Sequence, residues 1–119
     1  MTTTLILGAS GFLGRETLPA FVARGPTVGV SSRGGPGLEK TDIREAAVLR
    51  DLCERIQPSA VLLLAAYREP DVCEENPAET RRLNVEPART LAACLPAATH
   101  LPLVSTDYVF DGLNPPYRE

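Results

Sequence analysis

Short apolar runs alternate along the chain with longer segments whose apolar residues recur at helical spacing. The runs predict buried parallel strands over residues 4–8, 27–31, 60–66 and 101–105. The longer segments predict helices over residues 11–24, 44–56 and 77–95, and Pro87 should kink or split the last one. This alternation predicts an α/β fold with a doubly wound parallel sheet and right-handed crossovers, formed by residues 1–119 as one domain.

The first two helices each carry an apolar face. We expect the first to align Phe12, Leu13, Leu18, Phe21 and Val22. The second should turn inward Ala46, Val48, Leu49, Leu52 and Ile56. Asp42 is placed to cap the second helix, and residues 32–40 and 67–76 are predicted loops because they are rich in glycine and proline or in charge.

A glycine-rich turn follows the first strand and opens the first helix. In the order GxxGxxG, Gly8 allows a sharp turn, Gly11 allows backbone to approach a pyrophosphate, and Gly14 allows the helix to pack closely. Free N–H groups at the start of the helix would face the phosphates, and the helix dipole would stabilise their negative charge. The turn therefore predicts an NAD(P)-binding Rossmann fold, with further cofactor contacts from Ser10, Phe12 and Leu13.

The end of the second strand indicates which dinucleotide is bound. An NAD site usually places a carboxylate there, about twenty residues beyond the glycines, to bind the ribose 2′-hydroxyl. This chain has Ser32 and Arg33 instead. An arginine can bind a 2′-phosphate, so NADP(H) is favoured over NAD(H). The alternative is that Arg33 is only a solvated loop residue.

Composition and charge exclude several kinds of partner, cellular location and metal site. The net charge is −3 and no basic cluster occurs, which argues against nucleic acid or an anionic membrane as the main partner. No secretory signal or membrane span is apparent, so a cytoplasmic location is expected. The three cysteines, Cys53, Cys73 and Cys94, are predicted to be free thiols, and with one histidine no metal site is expected.

Three segments together resemble a known family. They read LGASGFLG, LLLAAYREPDVCEENPAETRRLNV and VSTDYVFDG. In these the chain resembles the extended short-chain dehydrogenase/reductase superfamily, and within it the dTDP-4-dehydrorhamnose reductase family, also called RmlD-like sugar-nucleotide-binding proteins. The resemblance covers essentially the whole chain and corresponds to the N-terminal portion of such proteins.

The resemblance implies roles for residues beyond the glycine turn. Thr106 would hydrogen-bond the substrate carbonyl oxygen during hydride transfer, or else only cap backbone at a strand end. Asp107 and Tyr108 would lie beside the sugar of a nucleotide-sugar substrate, and Asn84 near the catalytic centre. The pair Asp42 and Ile43 would meet the adenine ring. The residues at the end of the strand predicted over residues 60–66 and just after it are Ala65, Ala66 and Tyr67. They would let the dinucleotide pass close over the edge of the sheet, or else they would only pack in the core.

The family's chemistry uses a Tyr-x-x-x-Lys pair that is absent here. The only lysine is Lys40, and the residue four positions before it is Pro36. We expect this chain to be the front portion of a longer protein, incomplete at its C-terminal side and inactive by itself. The full-length protein is expected to be an NAD(P)H-dependent reductase and to form a homodimer.

Three functions remain open at this point. The first is reduction of a nucleotide-linked 4-keto-6-deoxy sugar. The resemblance favours it over dehydratase chemistry because Tyr108 stands where related dehydratases have a glutamate. It favours it over epimerase chemistry because the run ends in Phe110-Asp111-Gly112 rather than in the Tyr-Gly typical of epimerases. The second is another extended dehydrogenase or epimerase with a different substrate. The third is a non-catalytic dinucleotide-binding subunit, such as the regulatory β subunit of methionine adenosyltransferase.

Overall fold

A four-stranded parallel sheet organises the chain. The computed structural model describes residues 2–118. Its strands are β1 (Thr4–Leu7), β2 (Thr27–Ser31), β3 (Leu38–Lys40) and β4 (Ala60–Leu63), in the spatial order β3-β2-β1-β4. Because β1 lies between β2 and β4, the connection that leaves β1 runs to one side of the sheet and the connection that leaves β4 runs to the other. This is the doubly wound α/β arrangement that the sequence predicts.

Helices cover both faces of the sheet. They are α1 (Phe12–Val22), α2 (Ala46–Ile56), α3 (Pro70–Glu75), α4 (Pro77–Asn84) and α5 (Glu86–Cys94), followed by a 3-10 turn at Asp107–Val109. Helix α1 packs against β1 and β2, where Gly29 leaves room for the side chain of Leu18. Helices α2 and α5 pack against each other over the opposite face.

The core lies between the sheet and the α2–α5 pair. Alternate strand residues point into it, so Leu5, Leu7, Val30 and Val61 meet Leu49, Leu52 and Leu91 from the helices, all fully or almost fully buried. Burial of apolar area at about 25 cal/mol per Å² makes this cluster the main stabilising contribution. The three cysteines are free thiols, as predicted, and Cys53 is part of this core.

Two predicted strand assignments are wrong. Residues 38–40 form β3 inside the predicted loop, because the glycines and prolines bend only residues 34–37 before the chain returns parallel to β2. Residues 101–105 form no strand, and only the single bridges Ala60 to His100 and Leu63 to Leu103 join this segment to β4. Pro102 has no N–H to donate to a ladder, which explains the interruption.

The predicted break at Pro87 is confirmed, whereas a predicted loop and a predicted helix cap are wrong. Pro87 does split the long helix, since α4 ends at Asn84 and α5 begins at Glu86. The loop predicted over residues 67–76 contains α3, which begins with Pro70 in the first turn. Asp42 does not cap α2: Glu45 is the N-cap residue, and the Asp42 carboxylate accepts hydrogen bonds from Arg44 instead.

Several apolar side chains of the predicted helix faces are exposed. Phe12 and Leu13 are 69% and 49% exposed, because the start of α1 stands at the rim of the sheet rather than over it. Val22 and Val48 are also exposed. Between residues 2 and 118, no helix combines the length and apolarity needed to cross a bilayer.

Gly14 fixes the position of α1 against the turn that precedes it. The residue is buried, and a Cβ built there would stand 2.6 Å from the Ala9 Cα and even closer to the Gly8 carbonyl oxygen. Backbone atoms cannot move aside as a flexible side chain could. Any larger residue must therefore push the start of α1 away from β1.

We expect Gly14→Ala to lower the free energy of unfolding by about 1–3 kcal/mol, measured by urea denaturation. The steric clash should outweigh the gain of about 0.5–1 kcal/mol that alanine usually brings to a helix. Gly25→Ala is the matched control, because nothing lies within 4 Å of its built Cβ, and it should change stability by less than about 0.5 kcal/mol. Equal effects of the two substitutions would contradict this account.

Candidate functional site

An open groove runs along the carboxyl edge of the sheet. Because the strands are parallel, the segments that follow β1, β2, β3 and β4 all emerge at this edge. They enclose a groove of about 750 Å³, a size typical of cofactor and substrate sites. The groove lies where the connections from β1 and β4 diverge, which is the usual ligand position in open α/β sheets.

The glycine turn forms the middle of the groove and is held by β2. The carbonyl oxygen of Val30 accepts hydrogen bonds from both the Gly8 and Ala9 N–H groups, at 3.0 and 2.9 Å. Gly8 has φ +90°, a conformation that favours glycine, and a Cβ there would stand 2.5 Å from the Ala65 nitrogen. The turn after β1 and the segment after β4 are therefore in direct contact.

The start of α1 leaves N–H donors free beside the groove. Its N-cap residue, Gly11, provides no side-chain acceptor, and the first turn contains no acidic residue. Within residues 2–118, no protein acceptor pairs with the N–H groups of Ser10, Phe12 or Leu13. Unpaired donors at a helix N-terminus form a favourable site for an anionic group.

The rim at the end of β2 carries an arginine without a carboxylate partner. Ser32 and Arg33 line the groove and are exposed. Within the described part of the chain, no acidic side chain forms an ion pair with Arg33. The six ion pairs there involve Arg44, Arg55, Arg81 and Arg82. The Arg33 guanidinium is thus available to a ligand.

A second arginine on the groove wall is neutralised. Arg44 Nε donates to Asp42 Oδ1 at 2.9 Å, Nη2 donates to Asp42 Oδ2 at 2.7 Å, and Nη1 donates to Glu79 Oε1 at 2.6 Å. The Arg44 guanidinium lowers the pKa of Asp42 and that of Glu79, and the two carboxylates raise the pKa of Arg44. Asp42 lines the groove with its carboxylate already paired with Arg44, and the neighbouring Ile43 is buried.

Helix α4 fixes the segment after β4 through two of its residues. Asn84 Oδ1 accepts from the Tyr67 N–H at 2.8 Å, and its amide nitrogen donates to the Tyr67 carbonyl at 3.0 Å. The Tyr67 hydroxyl donates to Glu79 Oε1 at 3.1 Å. These contacts hold Tyr67 against the groove, and they give Asn84 a clear structural task on the Tyr67 backbone.

The groove brings together most of the predicted cofactor-binding residues. Its lining includes Gly8, Ser10, Gly11, Phe12, Leu13, Ser32, Arg33, Asp42, Ile43, Ala65, Ala66 and Tyr67. Gly14 does not line it and acts from behind, by packing α1 on the turn. For the lining residues, contact with a cofactor stays a prediction.

The predicted catalytic and substrate residues lie outside this lining. Thr106, Asp107 and Tyr108 are exposed, and Tyr108 is 74% exposed. Thr106 Oγ1 accepts from the Tyr108 N–H at 3.2 Å and caps the 3-10 turn, which is the backbone-capping alternative that the sequence left open. Their roles toward a substrate stay predictions.

Sequence reasoning missed several residues of the groove wall. These are Val30, Ser31, Thr41, Arg44, Leu64, Arg68 and Leu83. Val30, Ser31 and Leu64 directly adjoin predicted positions, so the predicted ranges were too narrow by a residue or two. Arg44 could have been found from the DIR spacing, because an arginine two residues beyond an aspartate can fold back onto its carboxylate.

Comparison with known proteins assigns the chain to a family. Residues 1–119 match the family described as RmlD substrate binding domain. The chain is 39% identical over 117 residues to dTDP-4-dehydrorhamnose reductase from Streptomyces griseus, covering 97% of the chain and 37% of that protein. It is 37% identical over 118 residues to methionine adenosyltransferase 2 subunit beta from Bos taurus, covering 97% and 35%. The chain thus spans little more than a third of these relatives.

Solved structures resemble the fold over most of the chain. A hypothetical dTDP-4-dehydrorhamnose reductase from Sulfolobus tokodaii superposes with TM-score 0.89 at 31% identity, covering 100% of this chain and 44% of that one. The dTDP-4-dehydrorhamnose reductase of Bacillus anthracis in complex with NADP gives 0.81 at 24% identity, covering 97% and 40%. UDP-glucose 4-epimerase from Brucella ovis in complex with NAD gives 0.68 at 25% identity, covering 79% and 32%.

The family match spans every residue of the chain, and the sheet, the glycine turn and the groove have the arrangement that the resemblance implies. Both the relatives and the structural neighbours include dTDP-4-dehydrorhamnose reductases. The chain therefore belongs to the RmlD substrate binding domain family.

Proposed function

We propose that the groove binds a nicotinamide dinucleotide, with its pyrophosphate at the start of α1. The observation that carries this proposal is the set of free N–H groups of Ser10, Phe12 and Leu13, next to a turn in which Gly8 and Gly11 leave the backbone uncovered. A pyrophosphate supplies the negative charge and the acceptor oxygens that these donors lack.

The charge distribution in the groove favours NADP(H) over NAD(H). Arg33 has no acidic partner among the described residues, whereas the carboxylate of Asp42 is held by Arg44. A 2′-phosphate beside Arg33 would gain charge-assisted hydrogen bonds and would meet no free carboxylate at the end of β2. One structural neighbour is a complex with NADP and another a complex with NAD, so the cofactor preference rests on Arg33.

For the protein to which this chain belongs, we propose reduction of a nucleotide-linked 4-keto-6-deoxy sugar. The Streptomyces griseus relative supports this activity by its name. The bound dinucleotide would supply hydride. Thr106 would hydrogen-bond the carbonyl oxygen as negative charge develops on it, and Asp107 and Tyr108 would contact the sugar. In the chain alone these three residues are solvent-exposed.

A second function is favoured by a separate observation. Several relatives at 36–38% identity are named methionine adenosyltransferase 2 subunit beta, from organisms including Bos taurus, Mus musculus and Danio rerio. Under this second function, adding the chain to a methionine adenosyltransferase catalytic subunit would change that enzyme's activity, whereas under the first it would not.

Arg33→Asp should weaken NADPH binding at least about tenfold and NADH binding less than about twofold, as measured by fluorescence titration. The reason is the loss of charge-assisted bonds to the 2′-phosphate, which are worth about 1.5–3 kcal/mol. Arg24→Asp changes charge equally at the far end of α1 and should affect neither cofactor. Equal weakening of both cofactors by Arg33→Asp would remove the basis for preferring NADP.

The chain should bind NADPH without oxidising it when a dTDP-linked 4-keto-6-deoxy sugar is added. Reduction requires a proton for the carbonyl oxygen, and no Tyr-x-x-x-Lys pair is present to supply it. The measurement is NADPH fluorescence over time, with a complete family reductase as positive control. Sustained oxidation above the buffer rate would show that another group, such as Tyr108, donates the proton.

A further inference from the structure

The two walls of the groove are joined by one carboxylate that does not line it. We propose that Glu79, on α4, is a positioning residue for the dinucleotide pocket: it holds Arg44 on one wall and Tyr67 on the other at a fixed separation. This inference rests on the proposed dinucleotide binding. It assigns a task to a residue that neither the glycine turn nor the strand ends indicated.

The hydrogen bonds of Glu79 converge from three directions. Its Oε1 accepts from Arg44 Nη1 at 2.6 Å and from the Tyr67 hydroxyl at 3.1 Å, and its Oε2 accepts from Arg82 Nη1 at 3.1 Å. Arg44 follows β3, and Tyr67 follows β4. These strands are the two outer strands of the sheet, so no ladder hydrogen bond links the segments that follow them.

Without Glu79, each wall would keep only its local support. The Arg44 guanidinium would stay on Asp42, two residues away, and the Tyr67 backbone would stay on Asn84. The Tyr67 side chain would lose its only hydroxyl acceptor within residues 2–118. The ring would then sample other rotamers across the groove, and a bound dinucleotide would have to order it at a cost in affinity.

Loss of an ordinary surface ion pair would not release a groove residue or weaken dinucleotide binding. Exposed pairs usually contribute little, and Arg82 forms one with Glu45 at 3.0 Å on the same side of the molecule. Glu79 differs because its carboxylate is shared by groups from two separate groove walls, and because both Arg44 and Tyr67 contact the groove directly. Glu45 does not line the groove, which makes it a matched control of equal charge and similar ion pairing.

The test is NADPH titration of the unsubstituted chain and of four variants: Glu79→Gln, Glu79→Ala, Tyr67→Phe and the double variant of Glu79→Ala with Tyr67→Phe. Glu45→Ala is the control. Glu79→Ala should weaken binding at least about fivefold and Glu79→Gln less, because the amide oxygen can still accept from Tyr67. The double variant should bind no more than about twofold more weakly than Glu79→Ala alone, because both substitutions remove the same contact.

Thermal unfolding without ligand separates positioning from folding. Glu79→Ala should lower Tm by no more than about 4 °C, as expected for a partly exposed side chain. Glu79 variants that bind like the unsubstituted chain, or single-variant effects that multiply in the double variant, would overturn the inference while leaving dinucleotide binding intact. Failure of the unsubstituted chain to bind NADPH and NADH would overturn the proposed function as well.

Discussion

The carbonyl oxygen of Val30 joins two of the segments that line the groove at the carboxyl edge of the sheet. By accepting from both Gly8 and Ala9, it ties the turn after β1 to the end of β2. This glycine turn also sets where α1 begins, because Gly14 packs against Ala9 with no room for a side chain. The uncovered N–H groups, the arginine at the end of β2 and the contact between Gly8 and Ala65 all lie beside this junction along the same groove.

Charge is distributed unequally along the groove. The end of β2 offers a guanidinium that no described acidic residue pairs with, whereas the turn after β3 holds an arginine between two carboxylates. Both carboxyl groups keep their charge to lower pH than usual, because the Arg44 guanidinium lowers their pKa. Two arginines of the same groove therefore differ: Arg44 is paired with carboxylates of the chain, whereas no described acidic side chain pairs with Arg33. Residue type alone does not reveal this difference.

The sequence predicted those parts of the fold that depend on local chemistry. The glycine turn, the three longest strands' approximate positions and the break at Pro87 follow from φ preferences, apolar runs and a missing N–H. It failed for β3, whose three residues form a strand only because β2 lies alongside, and for residues 101–105, whose apolar pattern was outweighed by Pro102. Likewise, Glu79 is 35 residues from Arg44 and 12 from Tyr67, so their contact depends on tertiary packing that no local pattern contains.

The division of one long helical segment at Val85 separates two kinds of constraint. Helix α5 buries Pro87 and Leu91 in the core, whereas α4 buries no residue and turns Glu79 and Asn84 toward the segment after β4. Because the two helices are not one rigid rod, substitutions in α4 can reshape the groove wall without disturbing the packing beneath α5. The groove wall that includes Tyr67 and the core that includes Leu91 can therefore be altered separately, the first by substitutions in α4 and the second by substitutions in α5.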